Sequence, residues 1–488
     1  MTQINVHKLD SVNMKIDCDD SIAKELNQFF TFEVPNYQYT PAYKNKKWDG
    51  MIRLFNLYSR RLYIGLMDYL TQFAKDRNYT IDQDFDNTVE LDSDEVERFI
   101  ASLNLKITPY DYQLDAIKHA IKNQRSLLLS PTGSGKSLII YCLVRYCLEQ
   151  IQEDEKILIV VPTTGLVSQM YNDFRDYAGK EWKVEKNCHT IFSGQDKTTP
   201  KQVVISTWQS IYKMPPEYFE QYKMVVGDEC HLFKAKSLTS LMSKMINAEF
   251  RVGTTGTLDG TQVHKLVIEG LFGRVHKVTT TKNLMEKEVL SNLAIDCLVL
   301  EYKAEEIDQI KRAKYIDELK WIVAHERRNK FISKLAKSVN GNTLVLFNYV
   351  DLHGKPLYNL ISEMCPDKKV FMIYGGTDVE HREEIRQIVD KEDNAILVAS
   401  YGTCSTGINI KNIHNIIFTS PSKSVIRVLQ SIGRGLRRSD NKDSMKLYDL
   451  ADNLSHKKYR NHTMRHLDAR IKIYNKEHFD YKLISMKI

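Results

Sequence analysis

The chain has 488 residues, 42% of them hydrophobic and 27% charged, a balance that supports full cores in about three domains. The N-terminal MTQINVHKLD has no apolar segment of a signal peptide, and no run approaches the ~20 apolar residues of a membrane span. The eight cysteines are scattered without a C-x-x-C pair. This argues against a zinc site and a disulfide framework, and it suits a reducing cytoplasm.

The net charge of +7 is unevenly distributed along the chain. Residues 43–61 contain six Lys or Arg and one acid, with aromatic residues interleaved, and residues 411–488 have a net charge of +10. Residues 82–97 contain eight acids and no base, so we predict a domain boundary over residues 81–100. Net positive charge alone is only a weak indication of a polyanionic partner.

The first motif in chain order is SLLLSPTGSGKSLIIYCL, residues 126–143. The apolar run at 126–130 predicts a short buried strand, and the apolar spacing over 137–149 predicts a helix. Between them, Gly133 and Gly135 permit positive φ. Such a loop, followed by a helix N-terminus, directs several N–H groups at one point and therefore suits a phosphate.

The polar residues of this loop complete the prediction of a nucleotide site. Lys136 would neutralise the β- and γ-phosphates, and the Ser137 hydroxyl would ligate Mg²⁺. The loop departs from G-x-x-x-x-G-K-[ST] at its first position, which is Ser130. The plain alternative is an ordinary glycine-containing turn between a strand and a helix. The nucleotide-binding candidates in the loop are Pro131, Thr132, Gly133, Ser134, Gly135, Lys136 and Ser137.

The second motif is KMVVGDECHLF, residues 223–233, where an apolar strand ends in two carboxylates. At the carboxyl end of a strand these groups would lie beside the phosphate loop of an open α/β sheet. Asp228 would hold Mg²⁺, and Glu229 would polarise the water that attacks the γ-phosphate. A strand followed by an acidic turn is the alternative. We expect Cys230 to be a small buried residue, and His231 either links nucleotide state to the next segment or caps a helix.

Strand-like runs separated by helical segments occur in two sets, which predicts an α/β fold with parallel sheets. The first set is 126–130, 156–161, 202–206, 223–227 and 250–254, and the second is 343–348, 370–374, 395–400, 414–418 and 445–449. No internal repeat or low-complexity tract is visible in the sequence.

The second set has no phosphate loop, but it has VLQSIGRGLRR, residues 428–438. This stretch places Gln430, Gly433, Arg434 and Arg437 near a helix, with the two arginines three residues apart on one face. Arginines supplied from across a cleft stabilise the charge that develops on a transferring phosphoryl group. A basic, solvated helix is the alternative interpretation.

Together these segments resemble the motifs of superfamily 2 helicases. SPTGSGKS, VVPTTGLVSQM, TWQS, DECH, GTTGT, ASYGTCSTGINI and QSIGRGLRR occur in the order of that superfamily, across residues 109–438. YKNKKWDGMIRL, residues 43–54, looks like a signature of the UvsW family of recombination helicases of T-even-like phages. That family is similar to the RecG and XPB-type DNA helicases, and the resemblance extends across nearly the whole chain.

The resemblance implies roles for residues at matching positions. Gln113, in PYDYQ, matches the adenine-sensing glutamine, and Thr255 and Thr257 lie in the segment that couples hydrolysis to lobe movement. Gly407 lies in a segment that touches both nucleotide and nucleic acid. Implied catalytic residues are Lys136, Asp228, Glu229, the arginine fingers Arg434 and Arg437, and Gln430, which faces the γ-phosphate; Ser137 and Asp228 are the implied metal ligands.

Nucleic-acid contacts are expected to favour the sugar-phosphate backbone, because a motor must hold any sequence. Small polar residues at loop tips suit this task, and each also has a plain alternative as a turn or N-cap residue. The candidates are Pro162, Thr163, Thr164, Thr207, Gln209 and Ser210 in the first lobe, and Ser405 and Thr406 in the second.

The two ends of the chain are open to two interpretations each. The basic stretch 43–61 is either a surface for a duplex or branched arm, with a stacking ring at Trp48, or a hairpin whose aromatic rings form a small core. Its nucleic-acid candidates are Lys44, Lys46, Lys47 and Trp48. Near the C-terminus, Met464, Leu467, Ile471 and Tyr474 predict a helix face packed on the second lobe. The opposite basic face, which includes Arg470, would add contacts to DNA.

The resemblance therefore implies two tandem RecA-like parallel-sheet lobes preceded by a small α+β N-terminal domain. We expect an N-terminal domain over 1–95, an ATP-binding lobe over 96–285 and a second lobe with a basic C-terminal helix over 286–488. The implied activity is ATP- and Mg²⁺-dependent remodelling of branched DNA and of RNA–DNA hybrids in R-loops. Duplex and single-stranded DNA are further expected partners. The protein would be a monomer of the host cytoplasm, with no membrane partner.

Two alternatives stay open. One is a translocase that moves on duplex DNA without separating the strands, and the other is a nucleic-acid annealing or binding protein with a secondary ATPase. A nuclease fused to a motor is disfavoured, because no cluster of metal-binding carboxylates is visible outside the ATP motifs. A kinase or other single-lobe enzyme would not explain the second set of strands.

Overall fold

A computed structural model describes residues 3–86, 88–192, 194–233, 236–258, 262–407, 410, 412–420, 424–436, 442 and 444–488, with the backbone alone at 262, 263, 379, 405–407, 425, 426 and 434. The chain divides into two compact units at the junction of Val278 and Thr279, with residues 131–134 grouped with the second unit. Among the described helices, none is both long and apolar enough to cross a bilayer.

The N-terminal part of the first unit is a small α+β arrangement. Its elements are β1 (Gln3–Lys8), β2 (Asn13–Asp17), α1 (Asp20–Phe29), β3 (Thr31–Glu33), α2 (Pro41–Lys44), β4 (Met51–Arg53), β5 (Arg61–Tyr63), α3 (Met67–Asp76) and β6 (Thr80–Gln83). Four strands form a mixed sheet in the order β5-β2-β1-β6, with β1 and β6 parallel, while β3 and β4 pair separately as an antiparallel hairpin. Alternating apolar residues of β1 and β2 bury one face against α1 and α3.

The acidic stretch connects this part to the following lobe. It runs from the end of β6 to α4 (Ser93–Ser102), whose N-cap Asp92 accepts a hydrogen bond from the amide of Asp94 at 2.9 Å. Val96 and Ile100 of α4 are buried in the core of the first lobe. Acidic residues at the start of α4 also suit the positive end of the helix.

The first lobe is a parallel sheet covered by helices. Its elements after α4 are α5 (Asp111–Asn123), β7 (Arg125–Leu129), α6 (Lys136–Leu148), β8 (Lys156–Val161), α7 (Thr164–Tyr177), α8 (Val184–Asn187), β9 (Cys188–Ile191), β10 (Val203–Thr207), α9 (Trp208–Ile211), α10 (Pro216–Phe219), β11 (Tyr222–Asp228), α11 (Lys236–Ser243), β12 (Phe250–Thr255), α12 (Gln262–Phe272) and β13 (Val275–Lys277). Within the described ranges the strand order is β13-β7-β12-β11-β8-β10-β9. The central strands are almost continuously apolar because both sheet faces are covered.

The second unit contains the second lobe. Its elements are α13 (Thr281–Glu286), β14 (Asn292–Glu301), α14 (Ala304–Ile310), α15 (Tyr315–Ala324), α16 (Glu326–Ser338), β15 (Thr343–Phe347), α17 (Lys355–Met364), β16 (Val370–Ile373), α18 (Val379–Lys391), β17 (Ile396–Ser400), α19 (Tyr401–Gly407), β18 (Asn415–Phe418), α20 (Val425–Gly435), β19 (Ser444–Asn453), α21 (His462–Lys476) and β20 (Tyr481–Lys487). Its parallel sheet has the order β16-β17-β15-β18-β19-β14-β20 across the residues described.

The two parallel sheets have the same topology. When β7 is matched to β14, β8 to β15 and so on through β13 and β20, the two strand orders coincide. The expected α/β fold, with two parallel-sheet lobes after a small α+β domain, is confirmed. The sequence shows no repeat because buried strands require apolar shape rather than particular residues.

The predicted strands are present with shifts of one or two residues at their ends, except that β19 extends to Asn453. In the two lobes, sequence reasoning missed β9, β13, β14 and β20, and it predicted none of β1–β6. Of these, β9, β13 and β20 are edge strands of their sheets in the part of the chain described. Edge strands are short or half exposed, which weakens their apolar pattern.

The C-terminal helix α21 differs from the prediction in which residues it buries. Ile473 is buried while Ile471 is only half buried, so the predicted stripe was wrong at that position. Arg470, expected on a basic outer face, is 1% exposed, and its Nε donates to Asp449 Oδ2 at 2.8 Å. The carboxylate in β19 draws this arginine inward, because a buried charge requires a partner of opposite sign.

Candidate active site

The phosphate loop lies between the end of β7 and the start of α6. The strand ends at Leu129 and the helix begins at Lys136. Gly133 and Gly135 have φ of +87° and +76°, a conformation that favours glycine. A Cβ at Gly135 would meet Gln113 Nε2, so Gln113 would have to shift to admit a side chain there.

Gln113 and Lys136 lie against this loop. Gln113 is buried, its Oε1 accepts from the amide of Tyr110 at 2.8 Å, and its Nε2 donates to Gly135 O at 3.4 Å. Lys136 Nζ donates to Ser130 O at 3.2 Å. Within the loop, Ser134 Oγ donates to Pro131 O at 2.7 Å. The predicted nucleotide-binding residues Gln113, Gly135 and Lys136 are thus close together.

The two carboxylates end β11, two strands from the phosphate loop. The Thr254 hydroxyl and the Glu229 amide both donate to Asp228 Oδ1, at 2.7 and 2.9 Å. Burial and the charge of Glu229 raise the pKa of Asp228, while Lys136 opposes the rise. A cation beside Asp228 Oδ2 would favour its charged form.

This donor set fits Mg²⁺. Both described hydrogen bonds to Asp228 end on Oδ1, which leaves Oδ2 to face a cation or its water ligands. Ser137 supplies a hydroxyl oxygen, and Mg²⁺ prefers such oxygen ligands together with water and substrate phosphates. Over the described ranges, no group of three or more His, Cys, Asp or Glu side chains could hold a metal by itself.

His231 joins the carboxylate pair to the end of β12. Its Nδ1 lies 3.3 Å from Glu229 Oε2 and 3.0 Å from Thr255 Oγ1. Because the Thr255 hydroxyl donates to Thr257 O at 3.0 Å, it accepts from His231, which therefore carries its proton on Nδ1. The residue thus connects Glu229 with the Thr255–Thr257 segment.

A further contact involves a residue that sequence reasoning missed. Ser137 Oγ lies 2.8 Å from the hydroxyl of Tyr177, the last residue of α7. No motif signals Tyr177, because its position depends on how α7 crosses α6.

The first-lobe candidates for nucleic-acid contact gather at the carboxyl ends of β8 and β10, which are neighbouring strands. Thr163 caps α7, accepting from the Leu166 amide at 3.4 Å. The hydroxyls of Thr207 and Ser210 are 2.8 Å apart, and Gln209 Nε2 donates to Pro162 O at 3.3 Å. Pro162 lies between β8 and α7, and Thr164 is the first residue of α7. These residues therefore do act as N-cap and turn residues. Their polar atoms lie together at the carboxyl ends of the two strands.

The second-lobe candidates are only partly described. Gln430 is half buried in α20, and Gly433 is buried there. Ser405, Thr406 and Gly407 belong to the backbone of α19 and Arg434 to that of α20, whereas their side chains lie outside what the structure describes. Arg437 lies outside the described residues altogether.

The basic stretch at residues 43–61 contains β4, which pairs with β3. Lys44, Lys46 and Lys47 are exposed. Trp48 is half buried, and its Nε1 donates to Met51 O at 2.8 Å. The tryptophan thus supports the local turn while the three lysines face solvent.

Comparisons with known proteins cover all three parts of the chain. Residues 3–84 match the family described as DNA helicase UvsW, N-terminal. Residues 106–260 match the type III restriction enzyme res subunit family, and residues 326–439 match the helicase conserved C-terminal domain.

Three relatives illustrate the similarity. The ATP-dependent DNA helicase UvsW of Enterobacteria phage T4 is 36% identical, over 99% of this chain and 100% of its own length. The crystal structure of T4 UvsW covers 99% of both chains at 34% identity, with a TM-score of 0.53. DNA 3'-5' translocase XPB2 of Sulfurisphaera tokodaii is 27% identical over 31% of each chain.

The motifs, the two parallel-sheet lobes and the end-to-end similarity agree with one another. The chain therefore belongs to the superfamily 2 helicases, in the family of the ATP-dependent DNA helicase UvsW of phage T4.

Proposed function

We propose that this protein is an ATP-driven motor that remodels branched DNA, such as forks, Holliday-type junctions and D-loops, and unwinds RNA–DNA hybrids in R-loops. Its role would lie in the recombination, repair and replication of phage DNA, within the host cytoplasm. The observation that carries the proposal is the series of side-chain contacts from Glu229 through His231 to Thr255. It occurs in a protein that is similar to a phage DNA helicase along its whole length.

In the proposed reaction, ATP lies on the phosphate loop with its adenine near Gln113. Lys136 binds the phosphates, and Ser137 and Asp228 would hold Mg²⁺, which supplies positive charge to the β- and γ-phosphates. Glu229 orients and polarises the attacking water. We propose that Gln430, Arg434 and Arg437 of the second lobe contact the γ-phosphate, because they lie in the helicase motif QSIGRGLRR.

Nucleic acid would be held by its backbone along both lobes. In the first lobe, the polar groups at the carboxyl ends of β8 and β10 form one patch. The proposed ATP-binding residues follow the carboxyl ends of strands in the same sheet. Ser405 and Thr406 would provide the second-lobe contacts. Nucleotide-dependent closing and opening of the lobes would then advance the strand, since each state binds the nucleotide with different affinity.

The exposed lysines beside β3 and β4 would hold a duplex arm. Lys44, Lys46 and Lys47 carry three positive charges on a short segment, which suits a phosphate backbone regardless of sequence. We propose three domains over 1–95, 96–285 and 286–488 and a monomeric motor.

The direct test is ATP hydrolysis without nucleic acid and with single-stranded DNA, plain duplex, a four-way junction or an R-loop. We expect low activity alone and strong stimulation by the junction and the R-loop. Lys136→Ala should abolish hydrolysis because the phosphates lose their main positive charge. Arg437→Ala should bind ATP normally but hydrolyse it at least 10²-fold more slowly.

Two outcomes would contradict the proposal. Equal activity with and without every nucleic acid would show that hydrolysis is not coupled to nucleic acid. Stimulation by plain duplex equal to that by the junction, without strand release, would instead favour the duplex translocase.

A further inference from the structure

The Tyr177 hydroxyl lies 2.8 Å from Ser137 Oγ, the oxygen expected to ligate Mg²⁺. Tyr177 belongs to none of the motifs and comes from a different helix. The contact therefore joins the phosphate-loop helix α6 to the end of α7.

The fold holds Tyr177 in this position from several sides. The Lys106 amide donates to Tyr177 O at 3.4 Å, and Lys106 Nζ donates to Arg175 O at 3.2 Å. The ring of Tyr177 packs edge-on against that of Tyr141, one turn along α6 from Ser137, with centroids 6.0 Å apart. The side chain is half buried, so the phenol reaches the site from a restrained helix end.

The hydroxyls of Ser137 and Tyr177 can take different hydrogen-bonding roles. A serine hydroxyl has one donor hydrogen and two acceptor lone pairs. If its hydrogen points at the phenol oxygen, a lone pair is free to face a cation. Partners that orient a metal ligand in this way commonly change metal affinity by about 10- to 100-fold.

We propose that Tyr177 is a positioning residue of the ATP site, which orients the Ser137 hydroxyl towards Mg²⁺. This inference rests on the proposed ATP site, but it does not depend on the nucleic-acid substrate. It predicts that the phenol hydroxyl contributes to Mg²⁺-dependent nucleotide binding, while the ring contributes to packing.

The test compares the affinity for a fluorescent ADP analogue in Mg²⁺ and in EDTA, without nucleic acid. Tyr177→Phe should reduce the ratio of the affinity in Mg²⁺ to the affinity in EDTA by about 10-fold. The affinity in EDTA itself should be unchanged. Tyr171→Phe is the matched control, because it removes a phenol from the same helix, and it should change neither value. Thermal unfolding should be the same for the wild type and both variants.

A double-mutant cycle tests whether Tyr177 acts through Ser137. In a Ser137→Ala background, Tyr177→Phe should have no further effect on the gain from Mg²⁺, because the Ser137 hydroxyl through which it would act is absent. The inference is overturned if Tyr177→Phe binds Mg²⁺–ADP like the wild type, or if the two substitutions act independently. Failure of nucleic acid to stimulate hydrolysis would contradict the proposed function, which this binding measurement does not involve.

Discussion

At the residue scale, Glu229 has a left-handed backbone, with φ of +50°, directly after β11. Non-glycine residues adopt this conformation at an energetic cost, and such strain concentrates at functional sites. The turn brings the Glu229 carboxylate to His231, whose Nδ1 also contacts Thr255. The three residues form a polar link between the expected water-activating group and the segment that ends β12.

His231→Ala should lower the DNA-stimulated kcat for ATP by about 5- to 10-fold, because Thr255 loses a hydrogen-bond donor and Glu229 loses the neighbouring imidazole. The KM for ATP should change little, since His231 does not belong to the phosphate loop. The measurement is steady-state ATP hydrolysis with saturating single-stranded DNA. His189→Ala, which removes a more exposed histidine of the same lobe, is the control; a kcat equal to the wild type in His231→Ala would refute the link.

Much of the candidate site could be predicted at this scale. Lys136, Asp228 and Glu229 were predicted from short motifs, and they lie near one another because parallel strands end at a common edge. The partners of these residues could not be predicted. Tyr177 reaches Ser137 only because α7 crosses α6 at a particular angle, which no local pattern encodes.

At the element scale, the N-terminal part packs on the first lobe through a 3₁₀ turn and a helix. The 3₁₀ turn Ile64–Leu66 and α3 lie on α12, which follows the Thr255–Thr257 segment. Tyr69 donates to Glu269 Oε2 at 2.7 Å, and Glu269 is completely buried. Burial and the Glu269 charge raise the pKa of Tyr69, so the phenol stays protonated and keeps donating.

Gly65→Ala should weaken this packing by about 1–3 kcal/mol. A Cβ at Gly65 would lie 2.1 Å from Glu269 O, a backbone atom that cannot move aside alone. We expect faster proteolysis in the connector at residues 84–92 and unfolding at lower urea concentration. Gly165→Ala is the control because nothing lies within 4 Å of the added Cβ. Equal proteolysis of Gly65→Ala and the wild type would show that the contact is unimportant.

Sequence patterns predicted the buried strands of both lobes better than the edge strands. β8 was predicted at its observed bounds because five consecutive apolar residues follow Lys156. β20 was missed because its residues are half exposed and alternate weakly. Arg470 was placed on the wrong face because its partner, Asp449, comes from a strand 21 residues away.

At the scale of the whole molecule, the three parts of the chain carry different motifs and charges. The two lobes share one strand order, yet the ATP motifs occur in the first and the arginine motif in the second. The exposed lysines near β4 belong to the N-terminal part, which packs on the first lobe. In the proposed function, nucleic acid would contact the exposed lysines of the N-terminal part and the polar residues at the ends of β8 and β10.

Lys46→Ala with Lys47→Ala should weaken binding to duplex DNA and reduce the slope of log affinity against log salt by about 1–2, because up to two phosphate contacts are lost. Fluorescence anisotropy over a range of salt concentrations measures both. The control is Lys24→Ala with Lys75→Ala, which removes two exposed charges from α1 and α3 of the same part. An unchanged slope in the first variant would place the duplex elsewhere.

In the proposed function, ATP hydrolysis drives strand separation on branched substrates. The most direct measurement is the release of a labelled RNA strand from an R-loop and of labelled arms from a four-way junction, by the wild type and by Glu229→Gln. We expect release by the wild type with ATP, and none by Glu229→Gln, which should still bind ATP because its loop is intact. Release by Glu229→Gln at the wild-type rate, or no release by a wild type that hydrolyses ATP on these substrates, would contradict it.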